Sequence, residues 1–158
     1  MGAIAVPFNE WLVLRGLTAL GVRMDRHCDN AEHFVEFLQG HSAVTAVHYP
    51  GLPTHPGHDV ATRQMKRYGG MVSFQVSGGE QQAVDVCGAT EIWTLGESLG
   101  GVESLIEHPA RMTHASVRGT ELEVTAALVS LSPAIEDVAD LIAALDRARA
   151  TPGGRCRR

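Results

Sequence analysis

The sequence predicts an α+β domain in which a mainly antiparallel sheet of about four strands carries helices packed on one face. Two observations favour this class. Segments with helical periodicity alternate with short segments of strand character, and the links between them are too short and irregular for a run of βαβ crossovers. At 158 residues, with 44% hydrophobic and 20% charged residues, the chain is long enough to bury one core of its own.

The first forty residues predict a long helical segment in two pieces. Apolar side chains recur with mainly 3.6-residue spacing through residues 8–17 and 19–39. Gly16 and Gly21 lie near the junction, where we expect a kink or a short turn. Gly40 then stands where a C-cap glycine belongs.

Short strands and helices alternate through the remainder of the chain. The predicted strands are AVTAVHYP (43–50), GGMVSFQVSGG (69–79), EIWTLGES (91–98) and ALVSLSP (127–133). The predicted helices are 59–69 with Asp59 as its cap, 80–90, one beginning near Val102, and the amphipathic segment 135–150. Residues 51–60 predict a loop because prolines and glycines are frequent there. The expected organisation is a helical segment (1–40), a small α+β domain (41–150) and a disordered tail (151–158).

Composition excludes several classes of function. A net charge of −5 gives no basic surface for nucleic acid. Cys28, Cys87 and Cys156 form no CxxC pair, which favours reduced thiols and a cytoplasmic protein. The eight histidines show no spacing suited to a tetrahedral metal site. Phosphate-binding glycine motifs and a Gly-x-Ser-x-Gly elbow are also absent.

The stretch TLGESLGGVESLIEHPARMTHA, residues 94–115, is the strongest candidate for a ligand site. Glu97 and Ser98 come at the end of a predicted strand, where side chains commonly face a cleft. Gly100 and Gly101 allow backbone amides to approach a ligand without interference from Cβ atoms. The alternative is a tight turn in which Ser98 caps the following helix.

Five segments in order carry a resemblance to a known family. They are PFNEWLVLRGLTALGVRMDRHCDNA, YPGLPTHPGHDVATRQM, GGMVSF, LGESLGGVESLIEHPARMTHA and LSPAIEDVADLIAAL. Together they resemble the C-terminal part of the Cys/Met-metabolism pyridoxal-phosphate enzymes of trans-sulfuration, in the pattern shared by cystathionine gamma-synthase and cystathionine gamma-lyase. The resemblance implies the small C-terminal domain of a fold-type I enzyme, with residues 1–40 bridging to a cofactor domain.

This resemblance also implies a site and its ligands. Glu97 matches a glutamate that influences the choice between γ- and β-reactions, and Ser98 matches a serine that contacts the substrate carboxylate or the lysine amine. Leu99 belongs to the same substrate-side loop, and Thr113 matches a threonine that lines the pocket. The implied cofactor is pyridoxal 5'-phosphate, and the implied substrate is an amino acid such as an O-acyl-homoserine or cystathionine. The family's enzymes usually assemble as tetramers.

Two departures from the family pattern fall on ligand positions. Ser130 stands where the family carries an arginine for the substrate α-carboxylate, and a hydroxyl cannot reproduce a bidentate guanidinium–carboxylate pair. Pro133 and Ala134 follow as further replacements. The only lysine, Lys66, lies in a polar segment unsuited to a Schiff base, so we expect no covalent binding of the cofactor by this chain alone.

These observations leave three hypotheses. The chain is the C-terminal portion of a trans-sulfuration enzyme, inactive alone and dependent on a cofactor-domain chain. Alternatively, it is a non-catalytic interaction module or degenerate remnant that self-associates or binds a full-length relative through Trp11, Leu12, Leu14 and Leu17. A third hypothesis is a sensor that binds an amino acid reversibly at the ESLGG loop. The motifs do not separate a γ-synthase from a γ-lyase.

Overall fold

The computed structural model describes residues 4–150, which form five helices, five strands and one 3-10 turn. The helices are α1 (Pro7–Leu17), α2 (Leu20–Gln39), α3 (His58–Gln64), α4 (Gly79–Ala89) and α5 (Val138–Ala150). The strands are β1 (Val44–His48), β2 (Val72–Val76), β3 (Thr94–Leu95), β4 (Leu105–Glu107) and β5 (Leu128–Ser132), and the 3-10 turn is Ala115–Val117. The predicted tail, 151–158, and Cys156 lie outside the described residues.

The strands form one mixed sheet in the order β1-β2-β5-β4-β3. All neighbouring pairs are antiparallel except β3 and β4, which run parallel. The prediction was a mainly antiparallel sheet of about four strands, and three of the four strand pairs are antiparallel. The sheet has five strands, however, and the parallel pair of β3 and β4 makes it mixed. A two-residue strand and a three-residue strand are too short to show a period of two, and pairing with the sheet holds both of them in extended form.

The N-terminal prediction of two helical pieces is confirmed. α1 ends at Leu17, a turn follows at Thr18 and Ala19, and α2 begins at Leu20. Within the turn the Thr18 hydroxyl donates to the carbonyl of Arg15. Gly40 is the C-cap of α2.

Two helix predictions are wrong in detail. Gly57, not Asp59, is the N-cap of α3, and Asp59 lies within the first turn, where its carboxylate still faces the positive end of the helix dipole. The helix expected near Val102 is a bend followed by β4. Leu105 pairs with Thr94 on one side and with Ser132 on the other. These pairings within the sheet override any local preference for a helix and keep the backbone extended.

Helices α2, α4 and α5 pack on one face of the sheet. β2 and β5 direct alternate apolar side chains towards them, and the core includes Val72, Phe74, Val129 and Leu131, each fully buried. Phe34 of α2 meets Trp93 edge to face with ring centroids 5.2 Å apart. The opposite face of the sheet, here called the open face, carries the polar side chains of Ser73, Glu107 and Ser130.

The apolar side chains of α1 do not join the core of the described structure. None of its residues is buried. Its large exposed hydrophobic side chains are Phe8, Trp11, Leu12, Val13, Leu14 and Leu17. No helix within residues 4–150 is long and apolar enough to cross a membrane.

Truncation of Phe34 tests the packing described above. Phe34→Ala is expected to lower the free energy of unfolding by about 3–5 kcal/mol because the surrounding core cannot close the cavity. Urea denaturation followed by circular dichroism measures the change. Phe8→Ala makes the same chemical change on the exposed α1 and should cost under about 0.5 kcal/mol. An equal loss in both variants would contradict the assignment of the core.

Candidate functional site

The open face of the sheet carries a row of polar side chains across three strands. Strand register places Ser130 of β5 between Ser73 of β2 and Glu107 of β4. Ser73 donates its hydroxyl hydrogen to the Ser130 hydroxyl oxygen at 3.1 Å. The strands alternate, so the intervening residues of β5 face the helices while Ser130 and Ser132 face the open side.

A pocket of about 70 Å³ lies over this row. Its lining residues are Met71, Gly96, Glu97, Ser98, Leu99, Leu105, Glu107, Ser130 and Ser132. Four of the five residues expected from the sequence, namely Glu97, Ser98, Leu99 and Ser130, are thus brought together at one place. The arrangement joins the loop after β3 to the open faces of β4 and β5.

Thr113 does not line the pocket. Its hydroxyl oxygen lies 2.8 Å from Nδ1 of His114, and its side chain hydrogen-bonds to Glu107. Thr113 therefore lies next to Glu107 and is not among the residues that line the pocket.

Glu107 is a site residue that sequence reasoning missed. Burial raises the pKa of its carboxyl, as does the nearby Glu97, while His114 and the hydrogen bond from Thr113 act in the opposite direction. Its Oε2 atom is buried and has no hydrogen-bond partner in the described part of the chain. A strand over residues 105–107 places this carboxyl on the same face as Leu105 by alternation.

The glycine-rich loop after Glu97 follows a path that depends on Gly100. This residue has φ of +74°, a region that side chains with a Cβ atom rarely adopt. The next residue, Gly101, places its carbonyl oxygen 3.0 Å from Nε2 of the buried His27. The loop that carries Glu97, Ser98 and Leu99 is thereby fixed to α2.

A largely buried hydrogen-bond group, here called the Glu136 cluster, fixes the other side of the site. It consists of Glu136, Ser104, Ala134, Asn30 and His27. The Glu136 carboxylate accepts hydrogen bonds from the backbone N–H and the hydroxyl of Ser104, each at 2.7 Å. The Ser104 hydroxyl oxygen accepts from the Ala134 N–H at 2.7 Å.

Helix α2 joins the same cluster from the other direction. Asn30 donates to the carbonyl oxygens of Ala134 and Glu136 at 2.7 and 3.1 Å. His27 Nδ1 lies within hydrogen-bond distance of the Pro133 carbonyl oxygen. The segment that directly follows Ser132 is consequently held at fixed points by α2 and by the residue preceding β4.

The pocket residues do not fit covalent attachment of pyridoxal phosphate. Lys66, the only lysine of the sequence, is exposed and is not among the nine residues that line the pocket. None of those nine residues is basic, so none supplies a cationic donor for a phosphate group. Nor do any three or more His, Cys, Asp or Glu side chains within residues 4–150 form a group that could hold a metal ion.

Comparison with known proteins identifies relatives that cover nearly all of this chain. The family model described as "Cys/Met metabolism PLP-dependent enzyme" matches residues 1–150. The cystathionine gamma-synthase of Mycobacterium leprae is 56% identical over 147 residues, which is 93% of this chain and 38% of that protein. The chain therefore spans little more than a third of the length of such relatives.

Solved structures agree with that comparison. The crystal structure of metB from Corynebacterium glutamicum matches with a TM-score of 0.90 and 54% identity over 94% of this chain and 39% of that one. The Xanthomonas oryzae cystathionine gamma synthase, solved in complex with aminoacrylate and cysteine, matches with a TM-score of 0.83 and 43% identity. That match covers 91% of this chain and 38% of the other.

Removal of the Ser104 hydroxyl tests the Glu136 cluster. Ser104→Ala is expected to lower the free energy of unfolding by about 1–3 kcal/mol, because the buried Ala134 N–H and one Glu136 oxygen lose their partner. Chemical denaturation measures this loss. Ser42→Ala, at an exposed position, should be nearly neutral. A Ser104 variant as stable as the parent would show that the cluster contributes nothing to folding.

The carboxyl of Glu107 gives a pH-dependent prediction. Because the folded-state pKa lies above the ordinary value of 4.5, the stability that Glu107 contributes is complete below that value and is lost as pH rises through the folded pKa. Glu107→Gln abolishes this loss, so the variant should gain thermal stability over the parent with rising pH. Melting temperatures measured from about pH 4 to pH 8 test this, and a gain that is largest at the acid end would refute it.

Proposed function

The chain belongs to the Cys/Met metabolism PLP-dependent enzyme family, and from this premise we propose that it forms the substrate-side wall of a trans-sulfuration site of the cystathionine gamma-synthase type. The observation that carries the proposal is the pocket that gathers Glu97, Ser98, Leu99 and Ser130 over the open face of the sheet. Its ligand is a sulfur amino acid or an O-acyl-homoserine.

Each wall residue has a role that follows from its chemistry. The Glu97 carboxylate accepts hydrogen bonds from an amino group of the ligand. The Ser98 hydroxyl both donates and accepts, so it fixes the orientation of a polar substrate group. Leu99, Met71 and Leu105 provide apolar contacts for the methylene groups of the substrate.

Because no lysine is among the residues that line the pocket, we infer that the cofactor is held by another polypeptide surface. Pyridoxal phosphate supplies an electron sink for chemistry at amino-acid carbons and is held through a lysine amine. This chain contributes no such amine at the pocket, so we propose that it acts only when joined to a cofactor domain. On its own it is inactive.

The exposed face of α1 supports a docking role. Six large apolar side chains in eleven residues stay uncovered, which is unusual for the surface of an isolated domain. We propose that α1 docks on the polypeptide that carries the cofactor domain. A second candidate function, a non-catalytic module that self-associates through α1, rests on the same observation.

Reconstitution tests the proposed function. The chain is mixed with the part of the Corynebacterium glutamicum protein that has no counterpart in it, and cystathionine formation from cysteine and an O-acyl-homoserine is followed. Turnover is expected for the mixture and not for either part. In the mixture Glu97→Gln or Ser98→Ala should reduce kcat/KM by about tenfold or more because one charge-assisted or orienting hydrogen bond is lost.

A matched control and a second measurement separate the two candidates. Glu91→Gln removes the same charge at an exposed position outside the pocket and should leave kcat/KM unchanged. A stable complex without turnover, in which α1 substitutions at Trp11 or Leu14 abolish association, would favour the non-catalytic module. A monomer that binds neither the second part nor an apolar dye would contradict both.

A further inference from the structure

The buried ring of His27 on α2 contacts two carbonyl oxygens at once. Its Nδ1 atom lies 2.5 Å from the carbonyl oxygen of Pro133, and its Nε2 atom lies 3.0 Å from that of Gly101. A neutral imidazole carries one N–H donor and one lone pair, so it donates to only one of these oxygens. Only the doubly protonated ring can donate to both.

The two carbonyl groups differ in their access to water. Pro133 is buried, whereas Gly101 is exposed. A buried carbonyl oxygen that loses its donor stays unsatisfied at a cost in free energy, while an exposed one can accept a hydrogen bond from solvent. When the ring is neutral, its remaining proton is therefore kept on Nδ1, and the contact with Gly101 is the one that is lost.

Packing fixes the position of the His27 side chain. It is only 2% exposed. Its Cβ atom lies against Gly70, where an added Cβ atom would come within 2.8 Å of it. This close approach leaves the side chain no room to withdraw towards the segment before β2. Loss of the Nε2 proton should therefore displace the exposed loop and not the ring.

Gly101 is one of two anchors for the loop that lines the pocket. The other is Gly96, whose N–H donates to the carbonyl oxygen of Ile106 at 3.0 Å. Residues 97–100 lie between these anchors, and the first three of them line the pocket and are exposed. Because exposed side chains provide little packing, the order of this loop depends on the hydrogen bonds at its two ends.

We propose that His27 is a positioning residue for this loop, and that it holds Gly101 only while its ring carries two protons. At acid pH the charged ring joins the loop to the segment after β5. At alkaline pH the loop is held at Gly96 and the contact at Gly101 is open. The proposal rests on the proposed function only for what the loop contacts, an amino-acid ligand; the anchoring itself requires neither ligand nor cofactor.

Other ionisable side chains lie on each segment that the ring contacts. They are Arg23, Arg26 and Cys28 on α2, Glu103 in the loop, Glu136 after β5 and Arg67 before β2. Ordinary carboxyl and guanidinium groups keep one charge state between about pH 5.5 and 7.5, whereas an ordinary imidazole changes charge there. Burial raises the pKa of the Cys28 thiol, which keeps this thiol neutral over the same interval. A response of the loop in this interval therefore reports an imidazole.

The test uses the full 158-residue chain without ligand or cofactor. Long-range ¹H–¹⁵N spectra show which imidazole nitrogens carry a proton, and ¹⁵N relaxation measures the order of the loop backbone. Between about pH 5.5 and 7.5, Nε2 of His27 should lose its proton while Nδ1 keeps its own. Order parameters at residues 98–101 should fall over the same interval from about 0.85 to under about 0.6.

Two amide variants replace the ring by a group that does not titrate. The amide nitrogen of asparagine branches from Cγ as Nδ1 does, so His27→Asn keeps a donor for Pro133 and should leave the loop mobile at every pH. Glutamine is one carbon longer and brings its nitrogen near the place of Nε2. His27→Gln should therefore keep the loop ordered at every pH. Circular dichroism checks the fold of both variants, and the titration of the parent chain decides the proposal if either fails to fold.

Two control variants exclude other titrating groups. His33→Gln removes an imidazole from an exposed position on the same helix and should reproduce the pH response of the parent. Glu107→Gln should also retain the response at Gly101, which separates it from the pocket carboxyl whose pKa burial raises.

Three results would overturn the proposal. They are loss of the proton from Nδ1 instead of Nε2, loop order parameters in the parent that do not change with pH, and a pH response that persists in a folded His27→Gln or His27→Asn chain. Absence of turnover in the reconstituted mixture contradicts the proposed function and leaves these readouts unaffected, because they use the chain alone. Turnover combined with a loop that is equally ordered at both pH values supports the proposed function and refutes this proposal.

Discussion

The site depends on one physical constraint, the hydrogen bonding of the short segment between β5 and α5. Residues Pro133 to Glu136 leave the sheet and turn into a helix, so their backbone groups have no ladder to satisfy them. The Glu136 cluster provides partners from two directions: Asn30 and His27 on α2, and Ser104 just before β4. Loss of this cluster would remove the hydrogen bonds that join α2 and the residue preceding β4 to the segment after β5.

The same constraint explains why the pocket has a fixed shape although its loop is exposed. Glu97, Ser98 and Leu99 are all exposed, and short polar loops of this kind are generally mobile. Here the loop is flanked by β3 on one side and by Gly101, held at His27, on the other. The interval between two anchored points is only a few residues, which leaves the backbone little freedom.

Sequence reasoning predicted those parts of the fold whose patterns are long enough to be periodic. The pair of N-terminal helices, β1, β2, α4, β5 and α5 all follow local apolar spacing or glycine punctuation. β4 does not, because three residues cannot distinguish a period of two from one of 3.6, and its extended form is set by neighbours far apart in sequence. Glu107 was missed for the same reason.

The residues near the pocket also divide into those that a local sequence pattern indicates and those whose position depends on the tertiary structure. Glu97, Ser98 and Leu99 are contiguous, so a motif could find them, and Ser130 was found because it departs from a family pattern on a well-predicted strand. Thr113 is not among the residues that line this pocket and lies next to Glu107 instead, so its role in a site stays a prediction. Ser132 could have been found by alternation alone, two residues from Ser130 on the same face of β5.

The exposed face of α1 and the open face of the sheet differ in the kind of partner surface that each can bind. α1 presents contiguous apolar side chains, whose removal from water is favourable against almost any apolar surface and therefore stabilises association without selecting geometry. The open face of the sheet presents acceptors at fixed positions, which favour only a partner or ligand whose donors match them. Association through α1 supplies free energy, while the polar face determines orientation. A chain of this kind can therefore bind a partner strongly and still depend on a few polar groups at fixed positions, the buried Oε2 atom of Glu107 among them, for what that complex recognises.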